Sequence, residues 1–506
     1  DGEIPCCTMY DAPDFQTRGV LHDVTRGKVP TLDTLKRLVD WLAGFKINQF
    51  QLYMEHAFVF SFDSRICDGA HGLTADEVAE LDAFATQRFM QLVPAIATLG
   101  HMGRILSMPR YRRLAEIEPG ASWDKMDWPT RARGLTLDCR NPDAWRLVER
   151  IWADVFDAFS APVVNICGDE PWDLGQGASH ARIEGDARGH AYLDHIVRTH
   201  ALCARAGRQC CFWSDVVTKY PALLERIPRD ATVLHWGYDD QAEYEATSDL
   251  TRAGLKTFVC PGTSAWKRII PAMDLAERNI SRFARAGKSA GAAGMITTDW
   301  GDHGHFNPLA CSRHGMALGA CLAWNVDHPR GRAFDEAFAA HGKGAFSGEG
   351  LAGLRELGRR DEAGETWPWF WKPPRKLLDG VQRPPRESAE ERLELAVQTA
   401  RTMPAIALDA SECGLDGAEL RLACEFSALL SRKIMLLSDG KGGRAHRADF
   451  GDWAADVRSA VESYAAAWMQ RNKRSGLSDI VVHLERMVED VGRFVGCSAA
   501  AAPGPE

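Results

Sequence analysis

The stretch Val163-Val164-Asn165-Ile166-Cys167-Gly168-Asp169-Glu170-Pro171-Trp172 joins a short β-rich apolar run to a glycine, two adjacent carboxylates, a proline and a tryptophan. Runs of this length form strands buried on both faces, and a chain that leaves the strand at Gly168 presents the next side chains at its carboxyl end. Enzymes built on parallel sheets place their chemistry there. Neighbouring acids also start helices or sit in solvated loops, but that reading does not explain why both directly follow a hydrophobic strand. Strand alternation puts Glu170 on the face of Val164 and Ile166 and Asp169 on the other, so both point inward only if the strand ends at Gly168.

Outward from this stretch, short apolar runs alternate with segments of helical spacing. The predicted strands are Arg18–Asp23, Gln49–Tyr53, Gln91–Pro94, Val163–Gly168, Cys210–Trp213, Val233–Trp236, Lys256–Val259 and Met295–Thr298. Between them, Leu35, Leu38, Val39 and Leu42 fall on one helical face, and Thr74-Ala75-Asp76-Glu77 is a capping box. Further helices are predicted over His190–Ala206, Gln241–Ala253, Ala272–Ala286 and Pro308–Ala323. Eight strands alternating with helices over about 310 residues predict an α/β fold, a (β/α)8 barrel. A doubly wound open sheet is the alternative, but no G-x-G-x-x-G follows the first strand.

Beyond about Pro329 the pattern changes. Trp367-Pro368-Trp369-Phe370-Trp371 reads as an aromatic, proline-broken connector, and Ala389–Thr402, Ala418–Ser438, Asp452–Lys473 and Asp479–Phe494 read as helices. The expected organisation is a lead over 1–14, a barrel over 15–329, an all-helical C-terminal domain over 330–497 and a disordered tail over 498–506.

Composition narrows the function classes. The 506 residues are 45% hydrophobic and 25% charged, with a formal charge of −9 and no basic run, which argues against nucleic acid as a partner. No apolar stretch approaches a membrane span. The fourteen cysteines include the neighbours Cys6-Cys7 and Cys210-Cys211 but no C-x-x-C pair. Cys167, Cys203, Cys260 and Cys321 lie in apolar segments, which suits a reducing, cytoplasmic compartment. The chain starts at Asp1 rather than methionine, so a removed leader or preceding domain is the competing expectation.

In a barrel, the strand ends would collect Asp23, Glu55-His56, His101, Asp169-Glu170, Trp213-Ser214-Asp215, Trp236, Trp266 and Asp299-Trp300-Gly301-Asp302. Tryptophans after four successive strands, rimmed by carboxylates and histidines, suit a pyranose, whose faces are apolar and whose edge is hydroxyls. A phosphate site would ask for glycine-rich loops and lysines instead. His303-Gly304-His305 with His22, His56 and His101 could be read as a metal site, but an H-x-H of the amidohydrolase type follows the first strand rather than the eighth. No metal and no cofactor is expected.

Taken together, these segments resemble glycoside hydrolase family 20, the β-N-acetylhexosaminidases, in its bacterial exo-acting branch. Arg18-Gly19-Val20-Leu21-His22-Asp23-Val24-Thr25-Arg26 is similar to the family's R-G-x-x-x-D-x-x-R opening, and Gly168-Asp169-Glu170 to its G-D-E motif. Gly100-His101-Met102, Phe212-Trp213-Ser214-Asp215, Pro261-Gly262-Thr263-Ser264-Ala265-Trp266 and Asp299-Trp300-Gly301-Asp302 resemble further blocks. The resemblance runs from about Asp14 to Trp324 and, more loosely, over Tyr464–Leu477.

It implies an exo-acting retaining enzyme that releases terminal GlcNAc or GalNAc by substrate-assisted catalysis. Glu170 would be the general acid/base and Asp169 would hold the 2-acetamido group. Arg18 would grip ring hydroxyls, Asp302 would accept from the far edge, and Trp213, Trp236 and Trp300 would wall the ring. His101 would support the acid/base pair. Lys267-Arg268 follow Trp266 where many members carry a tyrosine, so Tyr238 is the candidate replacement donor. Glu55-His56 stand where an Asp-Asp is frequent, which leaves the choice between GlcNAc and GalNAc open. The partner is a terminal N-acetylhexosamine of an oligosaccharide or glycoconjugate, and a homodimer is an arrangement the resemblance allows. Readings from other classes are a sugar-binding barrel without catalysis, motivated by the missing tyrosine, and a metal-dependent hydrolase using the histidines.

Overall fold

The computed structural model describes residues 8, 10–67, 71–183, 187–240, 244–341, 346–360, 366–374, 386–402, 412–438 and 444–496. The Cys6-Cys7 pair and the 498–506 tail lie outside them. Eight strands close into one parallel barrel in sequence order: β1 Thr17–Asp23, β2 Gln49–Met54, β3 Gln91–Ile96, β4 Val163–Asn165, β5 Gln209–Trp213, β6 Thr232–Trp236, β7 Lys256–Cys260 and β8 Gly294–Asp299. The closing pair sets His22 of β1 beside Asp299 of β8. Closure leaves no sheet edge unpaired, so the strands are buried on both faces almost throughout, with polar side chains such as Gln51 of β2 and Thr297 of β8 buried among the apolar ones.

The helices between strands start where local chemistry allows. Thr31 caps Leu32–Gly44 by accepting from the Thr34 N–H, and the predicted face of Leu35, Leu38, Val39 and Leu42 is buried against the barrel. Thr74 and Glu77 complete the capping box of Ala75–Thr86. Asn141 caps Pro142–Ala158, with Pro142 in the first turn, where its missing N–H costs nothing. The largest difference from the sequence reading in the barrel is β4, which ends at Asn165 rather than Gly168. After β5 the chain makes two 3-10 turns, Val217–Lys219 and Pro221–Arg226.

After the last barrel helix, Leu309–Trp324, come Arg332–His341, Gly348–Arg360 and Thr366–Trp371, then Arg386–Thr402, Glu412–Ser438, Arg444–Arg471 and Leu477–Val495. The aromatic stretch expected to be a connector is thus a short helix, with Pro368 in the first turn, where proline is tolerated. Its Trp367 stacks on Phe306 at 3.8 Å and donates to the His303 carbonyl at 2.8 Å. No helix among the described residues is long and apolar enough to cross a membrane.

The helical region holds the barrel loops that carry the site. The segment between its last two helices lies along the loop after β1. There the Thr31 N–H and the Thr34 hydroxyl donate to the Arg471 carbonyl at 2.8 and 2.7 Å, and the Gly476 N–H donates to the Gly27 carbonyl at 2.8 Å. Beneath this seam, buried Arg471 pairs with Asp416 at 2.5 Å and Glu419 at 3.0 Å, and Arg313 of the last barrel helix pairs with Asp416 at 2.9 Å. Breaking such a network from one side strands a buried charge. Arg471→Met should therefore cost about 3–5 kcal/mol of stability, read as a lowered thermal midpoint and denaturant midpoint. An unchanged midpoint would show that the seam does not hold the two regions together.

Candidate active site

Past Asn165, β4 keeps its hydrogen bonds to β5: the Ile166 N–H donates to the Cys211 carbonyl at 2.8 Å and the Trp213 N–H to the Cys167 carbonyl at 3.1 Å. The backbone itself departs from the extended region, with φ of 54° at Cys167, 85° at Gly168 and 46° at Glu170. Left-handed conformations at non-glycine residues cost about 1–3 kcal/mol each and persist where surrounding structure imposes them. Here they remove the alternation that would turn one acid away. His101 Nε2 lies 3.4 Å from Asp169 Oδ2 and 3.3 Å from Glu170 Oε2. Gly100 precedes it because a Cβ there would overlap the Asp169 carbonyl oxygen. Burial works against charge on His101, but Asp169 and Glu170 outweigh it and lift its pKa to about 10.

Asp215, at the end of β5, is a third carboxylate in this group. Its Oδ2 accepts from the Glu170 N–H at 3.1 Å, while its buried Oδ1 has no hydrogen-bond partner among the described residues. Burial and the charge of Asp169 push its pKa up to about 7. The sequence reading placed Asp215 at a strand end and gave it no role. Its hydrogen bond from the Glu170 N–H depends on how that backbone turns, which strand spacing does not show.

The opposite wall is organised by Arg26. Asp23 fixes the start of its loop: Oδ1 accepts from the N–H groups of Thr25 and Arg26 at 2.9 and 3.1 Å, and Oδ2 from that of Gly301 at 3.0 Å. The Arg26 guanidinium then donates to Glu55 at 3.0 Å, Asp302 at 2.7 Å and the Tyr53 hydroxyl at 3.3 Å. It stands 5.0 Å from the Tyr53 ring and 5.2 Å from that of Trp300. Arg26 Nη2 also lies 3.4 Å from His101 Nδ1, two positive groups held together by the surrounding carboxylates. Burial raises the Glu55 carboxyl and the neighbouring Arg26 and His101 charges pull it back. Lys267, which stands where the tyrosine was sought, reaches Asp302 Oδ2 at 3.4 Å.

Arg18, expected to grip substrate, does not reach this wall. It lies at the amino end of β1, where its guanidinium donates to the carbonyls of Phe15, Gln16 and Lys46 at 3.0 Å each. The opening motif holds two arginines eight residues apart, and seven residues of strand put them at opposite ends of the barrel. His56 lies against the Trp123 ring, at 5.5 Å, with its Nδ1 3.9 Å from Glu55 Oε2, and burial lowers its pKa to about 3.

The tryptophans at the strand ends form one wall. Trp213 lies 5.9 Å from Trp300, Trp236 stacks on Tyr238 at 5.1 Å, and Tyr238 meets Trp266 edge-on at 5.1 Å. Trp300 Nε1 donates to the Tyr238 hydroxyl at 2.8 Å. Burial lifts the Tyr238 phenol above its ordinary value, so it keeps its proton. The other histidines are spread: His22 pairs with buried Asp299 at 2.8 Å and His303 faces Trp371. Among the described residues no three His, Cys, Asp or Glu side chains converge as metal ligands.

Adjacent acids on an imidazolium, a guanidinium–carboxylate fork opposite them and a tryptophan wall between define a carbohydrate-type site at the carboxyl end of a (β/α)8 barrel. Residues 15–267, half of the chain, match the glycosyl hydrolase family 20 catalytic domain, and the chain belongs to that family. A β-hexosaminidase of Akkermansia muciniphila is 26% identical over 240 residues, covering 42% of this chain and 47% of the relative. One of Porphyromonas gingivalis is 22% identical over 266 residues, covering 47% and 32%. The chain thus spans less than half the length of these curated relatives. Among solved structures, a β-N-acetylhexosaminidase from Bacteroides fragilis shares the fold with a TM-score of 0.52 at 16% identity, over 67% of this chain and 73% of that one. A chitobiase from Flavobacterium johnsoniae does so at 0.51 and 14% identity, over 94% and 78%.

The raised Asp215 pKa has a consequence for stability. A carboxyl with a folded-state pKa above its unfolded value contributes stability that is full below about pH 4 and is lost as pH rises towards 7. Asp215→Asn removes that slope. The thermal midpoint of the variant should gain on the parent between pH 4 and 7, and parallel curves would show that Asp215 is not held protonated.

Proposed function

We propose that this chain is an exo-acting, retaining β-N-acetylhexosaminidase that releases terminal GlcNAc or GalNAc by substrate-assisted catalysis. The observation that carries the reading is that Asp169 and Glu170, adjacent in sequence, both face His101 at the head of the tryptophan-walled pocket. The relatives named β-hexosaminidase support the same reaction class.

In the proposed reaction the substrate's acetamido oxygen attacks the anomeric carbon as the bond to the leaving oxygen breaks. The nucleophile belongs to the substrate, so no protein carboxylate need reach the anomeric carbon, and the step benefits from high effective molarity. Asp169 accepts from the acetamido N–H and balances the positive charge of the oxazolinium ring. Glu170 gives its proton to the departing oxygen, then takes one from the water that opens the ring and restores the β anomer. The His101 imidazolium orients both carboxylates. Arg26 and Asp302 hold the hydroxyls at the far edge of the sugar, the role first given to Arg18. Trp213, Trp236 and Trp300 enclose the ring and the acetamido methyl, and Tyr238 is the phenol closest to the expected tyrosine in chemistry.

Hydrolysis of nitrophenyl β-N-acetylglucosaminide or β-N-acetylgalactosaminide tests the reading, with NMR of the first sugar released showing the β anomer. No turnover by folded protein would leave a sugar-binding barrel instead. Glu170→Gln should lower kcat by at least about a thousandfold and Asp169→Asn by at least about a hundredfold with circular dichroism unchanged; a near-parental rate in either removes that residue from its role.

The two arginines separate in the same assay. Arg26→Met should lower kcat/KM by at least about a hundredfold, the scale of lost charge-assisted hydrogen bonds, while Arg18→Met should stay within about twofold at a reduced thermal midpoint. The reverse order would restore Arg18 as the sugar-binding group.

A further inference from the structure

The left-handed turn at the end of β4 is held from several sides. Before it, the Cys167 N–H donates to Asn165 Oδ1 at 2.9 Å, and a Cβ at Gly168 would meet Ile196 of helix Ala187–Arg205 at 2.8 Å. After it, Arg188 donates to the carbonyls of Pro171 and Trp172 at 3.2 Å each. At Glu170 itself the hold is a side chain, Asp215, whose Oδ2 accepts from the N–H at 3.1 Å. Glu170 has a φ of 46°, a conformation that a non-glycine residue keeps only where its surroundings impose it.

Asp215 is fixed in its own right. The Ser214 N–H donates to the Leu234 carbonyl at 2.9 Å, and the Thr218 hydroxyl reaches the carbonyls of Ser214 and Asp215 at 3.1 and 3.4 Å. The carboxyl thus approaches Glu170 from a braced strand end. Around it stand Asp169 and Glu170 from the end of β4, the phenol of Tyr192 from helix Ala187–Arg205, and the exposed ammonium of Lys219 from the turn after β5. Burial and the two acids favour the neutral carboxyl, and Lys219 with the Glu170 N–H opposes them, leaving its pKa at about 7. Oδ1, buried without a hydrogen-bond partner among the described residues, is the oxygen left to carry the proton.

We propose that Asp215 is a positioning residue of the glycosidase reaction: its Oδ2 fixes the turn that aims Glu170, and its charge, once the carboxyl ionises, keeps the proton on the acid pair as pH rises. This role rests on the glycosidase reading above and acts through Glu170, without contact to the sugar. If the turn relaxes toward extended backbone, strand alternation returns Asp169 and Glu170 to opposite faces. A displacement of about 1 Å at a reacting group is worth on the order of a hundredfold in rate. Carboxyls this close titrate as one coupled set, in which the ionised form of one favours the protonated form of the others. Below about pH 7 Asp215 is neutral and adds no charge; above it, the anion opposes loss of the proton that glycosidic cleavage needs.

Two variants separate the hydrogen bond from the charge, assayed on whichever nitrophenyl β-N-acetylhexosaminide the parent turns over, with circular dichroism to show folding. Asp215→Ala removes both the acceptor and the charge, whereas Asp215→Asn keeps an acceptor for the Glu170 N–H and never ionises. At pH 5 the Ala variant should lose at least about thirtyfold in kcat with KM within about threefold, because the Arg26 fork and the tryptophans are untouched. The Asn variant should recover most of that loss, to within about fivefold of the parent. The alkaline limb of its kcat/KM profile should lie at least about half a pH unit below that of the parent, a change that a purely structural role would not produce. A near-parental kcat in the Ala variant, equal losses in both variants at pH 5, or an unmoved limb in the Asn variant overturns the role and leaves the glycosidase reading standing. If the Ala variant does not fold, the Asn limb decides by itself. No turnover of either N-acetylhexosaminide by folded parent overturns the glycosidase reading and this role with it.

Discussion

A guanidinium removed from water must be surrounded by partners, and the Arg26 side chain meets that demand with carboxylates from separate loops. Glu55 comes from the end of β2, Asp302 from the end of β8, and Asp23 sets the backbone that aims the arginine. Satisfying one buried charge thus fixes three strand ends relative to one another. Two of them would otherwise be free loops at the rim of the barrel. The helical region completes the constraint, because Arg471 and Gly476 hold the Thr25–Thr34 segment through backbone hydrogen bonds. A site built this way is preorganised before any sugar arrives, so little binding energy is spent on ordering it.

The other half of the site has the opposite electrostatic problem. Asp169, Glu170 and Asp215 bring three carboxylates together in a largely buried space, and a protonated His101 with an Asp215 pKa near 7 relieves the crowding. Left-handed backbone at Cys167, Gly168 and Glu170 is the conformational cost of placing them. Hydrogen bonds from the Glu170 N–H to Asp215 and from the Cys167 N–H to Asn165 at 2.9 Å hold that backbone in place. The acid pair and the arginine fork meet through His101, so the two charge systems balance each other across the pocket.

The helical region is part of the same machine rather than an appendage. It supplies Trp367, which stacks on Phe306 beside the loop after β8, and Tyr464, whose hydroxyl donates to the Phe306 carbonyl at 2.7 Å. Its residues Ser475, Gly476, Ser478 and Asp479 line a cavity of about 210 Å³ that Arg26 and Glu55 also line. Its aromatic side chains substitute for the solvent that would otherwise reach the barrel's carboxyl face.

By itself the sequence determined the barrel, because closure buries each strand on both faces and leaves eight apolar runs with helical spacing between them. It also marked the acid pair, His101 and the tryptophans, since each lies at a recognisable strand end or in the loop that follows one. The tertiary structure decided what depends on direction and distance. An eight-residue spacing does not say which of two arginines faces the acid pair's side of the barrel; Arg26 does, and the strand carries Arg18 to the opposite end. Asp215 joined the acid pair only through the turn of the Glu170 backbone, whose N–H it accepts. Both differences have one physical source: a strand's hydrophobicity is written residue by residue, whereas hydrogen bonds between loops appear only once the loops are brought together.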